Sequence, residues 1–145
     1  MSESRFTTAS LRIYGEELVP DEVSQTLKHK PDRSHVKGDV LFTNDSGKER
    51  HAFTGLWQLS LTDNLSWNLD AQINELLGKF TIDLAVWNDL TASFQAELYC
   101  GIFLETWNSE LGLKPATLRS LSDRGLELTF DIYESSVDLP NSETR

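Results

Sequence analysis

Four stretches of the chain alternate apolar and polar residues, the period-two signature of strands with one buried face. In residues 5–14, Ala9, Leu11 and Ile13 point one way while Ser10, Arg12 and Tyr14 point the other. In residues 51–61, Phe53, Trp57, Leu59 and Leu61 share a face, with Thr54, Gln58 and Ser60 opposite. Residues 94–105 set Phe94, Ala96, Leu98, Cys100, Ile102 and Leu104 against Gln95, Glu97, Tyr99, Gly101, Phe103 and Glu105. Residues 126–133 turn Leu126, Leu128, Phe130 and Ile132 inward and Glu127, Thr129, Asp131 and Tyr133 outward.

Between these strands the spacing becomes helical. Pro20 suits the first position of a helix, where its missing N–H costs nothing. Asp21 and Glu22 place negative charge in the first turn, and Val23 and Leu27 give an apolar stripe. Leu69, Ile73, Leu76, Leu77 and Phe80 predict a helix over residues 65–80, capped by Ser66 or Asn68. Leu84, Trp87 and Leu90 predict a shorter one over residues 84–92. Pro115 opens a last helix with Leu118 and Leu121 beneath it, and Gly125 ends it. Residues 30–50 read as a long connection rich in turn residues. Within it, residues 40–43 form a short strand entering a hairpin at residues 44–47.

These elements predict an α+β two-layer sandwich, a mainly antiparallel sheet with helices on one face. Residues 1–133 form one domain, and residues 134–145 a loose polar tail. Pro20 with Val23 and Leu27 parallels Pro115 with Leu118 and Leu121. That echo suggests duplicated β-α-β units, as in ferredoxin-like folds.

Charge narrows the partners. The chain of 145 residues carries a net charge of −10, which disfavours nucleic acid and anionic membrane surfaces and suits a basic protein partner. Cys100 is the single cysteine, so no internal disulfide and no zinc ligand set is expected. No cofactor is implied. Met1 to Ser10 lacks the apolar segment of a signal peptide, which sets the expectation of a cytoplasmic protein.

Two groups of residues are candidates for function. The first is the long connection, where His29, His35 and His51 keep company with Lys28, Lys30, Arg33, Lys37, Lys48 and Arg50. From Lys28 to His51 there are six Lys or Arg against four acids, a local +2 in a chain of −10. An anion- or partner-binding loop fits this pattern, and so does a solvated loop with ordinary charges. The second group is the polar face of the sheet, with Arg12, Tyr14, Tyr99, Phe103, Asp131 and Tyr133. Aromatics among polar residues suit recognition or a dimer interface, and cross-strand pairing on a wet face uses the same residues. The neighbouring acids Glu97, Glu127 and Asp131 repel phosphate, which excludes an RNA-stacking role. No Gly-x-Ser-x-Gly elbow and no phosphate-binding glycine loop is present, so no catalytic residue is assigned.

Several segments resemble an uncharacterised bacterial family, domain of unknown function 4279. They are Ala9-Ser10-Leu11-Arg12-Ile13-Tyr14-Gly15, Pro31-Asp32-Arg33-Ser34-His35-Val36-Lys37-Gly38-Asp39, Gly55-Leu56-Trp57, Cys100-Gly101-Ile102-Phe103-Leu104 and Asp123-Arg124-Gly125-Leu126-Glu127-Leu128. The resemblance implies a small bacterial domain without an assigned activity, and it draws attention to Asp32, Arg33, His35 and Gly38. The leading expectation is a non-enzymatic protein-binding module, immunity- or inhibitor-like, acting on a basic protein or as a homodimer. The alternative is a small-anion or small-ligand domain, with or without catalysis, centred on Asp32, Arg33, His35, Lys37 and Arg50.

Overall fold

The computed structural model describes residues 5–42 and 47–134. The first strand, β1 (Phe6–Gly15), leads into helix α1 (Pro20–Leu27). Three short strands follow, β2 (Arg33–His35), β3 (Val40–Phe42) and β4 (Glu49–His51), before the long β5 (Gly55–Ser66). Helices α2 (Leu69–Leu77) and α3 (Leu84–Ser93) connect to β6 (Gln95–Phe103). Helix α4 (Pro115–Asp123) and β7 (Glu127–Tyr133) complete the domain.

The main sheet has the order β2-β5-β1-β6-β7, and β3 pairs with β4 in a separate two-stranded ribbon. All neighbours are antiparallel except β6 and β7. The α+β, two-layer reading therefore holds. Register sets the faces: Leu11 sits opposite both Leu59 and Leu98, and Cys100 opposite both Ala9 and Phe130. Ala9, Leu11, Leu59, Leu98 and Cys100 meet Val23, Leu27, Ile73, Leu76, Trp87, Leu90 and Leu121 from the four helices in one core. Trp57 and Trp87 are wholly buried. Their indole N–H groups donate to Ser24 Oγ and Thr81 O, so the polar edge of each ring is satisfied.

Helix ends follow local chemistry. Asn68 Oδ1 accepts from Ala71 N at 3.1 Å, so α2 starts at Leu69 rather than at residue 65, and β5 runs on to Ser66. Gly125 ends α4 at φ 72°. Leu126 N donates to Leu121 O and Gly125 N to Ser122 O, the paired bonds of a Schellman motif.

Three expectations need correction, and a fourth is not confirmed. The ferredoxin-like arrangement of duplicated β-α-β units is not confirmed. Helix α4 joins the adjacent parallel strands β6 and β7, whereas α1 leads to β2, which runs parallel to β1 but is separated from it by β5, so the halves close differently. Phe53 precedes β5 and is 84% exposed, because the strand begins two residues later. On α4, Leu118 faces outward and Thr117 takes the buried place beside Leu121. Phe130 and Ile132 keep the inward side of β7 but are 42% and 62% exposed. β7 is an edge strand, and these two residues line an apolar groove of about 660 Å³ with Trp107, Leu113 and Leu118. The turn expected at residues 44–47 falls mostly, and the tail at 134–145 almost wholly, outside the described residues.

Candidate functional site

The face of the sheet away from the helices carries Arg12 and Tyr14 from β1, Leu56 and Gln58 from β5, and Arg33 and His35 from β2. β2 is only three residues long, too short for alternation to reveal it. Asp32 fixes it in place: its N–H donates to Gln58 O at 2.9 Å, and its Oδ2 accepts from Ser60 N at 2.8 Å. The chain then turns back as the β3–β4 ribbon. Gly38 N donates to Ala52 O, and Ala52 N to Asp39 O, closing the ribbon's base.

This path encloses a cleft of about 380 Å³, within the ~300–1,000 Å³ common for ligand sites. Arg12, Arg33, Arg50, His35 and His51 line it, along with Tyr14, Leu41, Phe53, Thr54 and Leu56. None of the lining residues is Asp or Glu. Among the described residues, neither Arg33 nor Arg50 has an ion pair. His35 Nδ1 is buried without a hydrogen-bond partner, as is Arg12 Nε. An unmade bond at a buried polar atom costs about 1–3 kcal/mol.

The floor is more nearly neutral. Glu97, 8% exposed, lies 3.6 Å from Arg12 Nε and accepts hydrogen bonds from Thr129 Oγ1 and Tyr14 OH. Burial, and then the Glu97 charge, push the Tyr14 hydroxyl above its ordinary pKa. The Arg12 guanidinium also sits 4.3 Å from the centroid of the Tyr99 ring. Arg12 is therefore a held cation, while Arg33 and Arg50 stand at the rim with their forks uncommitted.

A family model matches residues 4–135, which takes in every residue of the cleft. The chain belongs to the domain of unknown function family DUF4279. Comparison with curated proteins and with solved structures brings up no match.

In this DUF4279 domain the two groups of candidate residues meet at one place. Arg33, His35 and Arg50 from the connection line the cleft with Arg12 and Tyr14 from the sheet face. Asp32 stands outside the cleft lining and positions β2. Lys37 also lies apart, paired with the exposed Glu16 at 2.7 Å; that hydrogen bond holds the Glu16 carboxyl below the usual range. The other sheet-face residues are occupied with each other. Tyr99 and Tyr133 both donate to Asp131 Oδ2, and Phe103 stacks on Tyr133 at 4.4 Å. Donation from Asp131's partners keeps its carboxyl low, and the same bond pushes Tyr99 up to about 12. Phe53 was absent from the candidate groups, and His51 was named in the basic run but not among the residues at its centre. A histidine beside the basic run was visible in the sequence, but nothing there separates a lip residue such as Phe53 from a core one.

Among the described residues no group of three or more His, Cys, Asp or Glu gathers to hold a metal ion. Among them also, no helix is long and apolar enough to cross a membrane.

Proposed function

We propose that this domain binds a small anionic ligand, one carrying a phosphate or carboxylate, in the cleft between the open sheet face and the β3–β4 ribbon. One observation carries the reading: a chain with net charge −10 lines this cleft with three arginines and two histidines and with no Asp or Glu, although Glu97 lies beneath Arg12 and Glu49 beside His51. Guanidinium forks match phosphate and carboxylate oxygens two bonds at a time. Arg33 and Arg50 supply uncommitted forks, Arg12 a held one, and His35 Nδ1 an unpartnered ring nitrogen. The alternative use of the sheet face, as a platform for a protein partner, has less support. Its aromatic and acidic residues are already bonded to one another.

Calorimetric titration with inorganic phosphate and citrate tests the proposal. The domain should bind at least one of them, and Arg33→Ala combined with Arg50→Ala should weaken that binding. Loss of a charged hydrogen bond costs about 1.5–3 kcal/mol, so each arginine is worth roughly 10- to 100-fold in affinity. Both side chains stand at the rim, so each substitution should leave stability within about 0.5 kcal/mol. Affinity unchanged in the double variant would remove the assignment.

A further inference from the structure

The cleft does not end at Phe53. A second cavity of about 520 Å³ adjoins it, and Tyr14, Phe53 and Thr54 line both. The chemistry changes across that shared wall. The second cavity contains no Lys, Arg or His; Glu16, Thr54, Thr91, Ser93 and Gln95 face it instead. Three hydroxyls and one amide both donate and accept hydrogen bonds, and the Glu16 carboxylate accepts. Thr91 donates its own proton to Trp87 O at 2.9 Å, which leaves its oxygen free to accept. Glu16 is paired with Lys37 at 2.7 Å, so this compartment offers no unpaired cation to a second anion, whereas a group bearing several hydroxyls is matched. Between the two compartments stands the Phe53 ring, 84% exposed. An aromatic face left in water is unfavourable unless something apolar covers it.

Resting on the anion-binding reading above, we infer that the ligand is a monosaccharide bearing a single anionic group. The phosphate or carboxylate sits among Arg12, Arg33 and Arg50, the C–H face of the sugar ring lies against Phe53, and the hydroxyls reach Thr54, Thr91 and Gln95. Phe53 is then the residue that selects the sugar, and the arginines select the charge.

Titration calorimetry on the full chain separates these roles with four probes: glucose 6-phosphate, glucuronate, inorganic phosphate and glucose. Ring contact and a few hydrogen bonds at about 0.5–1.5 kcal/mol each make a sugar anion at least ~10-fold tighter than inorganic phosphate. The phosphate and carboxylate arms show which head group the arginines prefer. Phe53→Ala should abolish the advantage of the sugar anion over inorganic phosphate, because it removes the ring contact. Inorganic phosphate binding as tightly as both sugar anions, or Phe53→Ala leaving the sugar anions unaffected, would overturn the sugar assignment while the anion site stands. Binding of none of the three anions would overturn both.

Discussion

At the scale of single residues, the domain separates groups whose chemistry is silenced from groups left available. Cys100 is silenced: it lies wholly within the core, and burial pushes its thiol from 9.0 up to about 12. A thiol attacks as the thiolate, so the folded protein should leave a disulfide reagent unreacted at pH 8, and denaturant should release one equivalent. The sign on stability follows from linkage. The folded state holds the proton more tightly than the unfolded chain, so the contribution of Cys100 is complete below pH 9 and is lost as pH rises towards 12. Rapid labelling of Cys100 in the native state would contradict the packing of β6 against α3. Arg33 and Arg50 are the opposite case: no carboxylate neutralises them among the described residues.

At the scale of elements, two aspartates hold parts in place without lining the cleft. Asp32 secures β2 to β5 through Ser60 N and Gln58 O. Its removal takes a negative charge from the neighbourhood of an anion site, and charge alone would then strengthen binding. The positioning role predicts the reverse. Asp32→Ala should weaken anion binding several-fold and speed hydrogen exchange at the β2–β5 pairing, because Arg33 and His35 lose their register. Tighter binding in this variant would show that Asp32 acts only as a charge. Asp70 ties α2 to α4: its Oδ1 accepts from Lys114 N at 2.9 Å, the N-cap position of a helix with no side-chain cap of its own. That bond holds the Asp70 carboxyl below its ordinary 3.8. The stabilisation is therefore complete above about pH 4 and disappears as pH falls through the lowered folded value. Asp70→Asn should cost about 1 kcal/mol or less at pH 7, as a charged hydrogen bond discounted for solvent exposure. In chemical denaturation the difference should vanish in strong acid.

At the scale of the whole molecule, the layer arrangement was legible because long strands with one wet face write their orientation into alternation. Leu11, Leu98 and Cys100 were placed inward by pattern alone and are fully buried. Pattern says which side a residue faces, not how far the cover extends, so Phe130 and Ile132 point inward and still meet solvent at the sheet edge. Strand order was not legible, since β6 and β7 pair in parallel through a crossover that period-two alternation does not encode. The site was half legible. Arg33, His35 and Arg50 stood out by charge, and Arg12 and Tyr14 by their place on the open face. Their meeting depends on a three-residue strand and a folded-back ribbon, both fixed by backbone bonds of residues far apart in the chain.

The proposed anion lies between β2, β1 and the β3–β4 ribbon. Amide chemical-shift mapping during a phosphate titration locates it directly. Saturable shifts are expected at Arg12, Arg33, His35, Arg50, His51 and Thr54, with α2 and α3 unmoved. Shifts grouped around Trp107 and Leu118, or none that saturate, would contradict that placement.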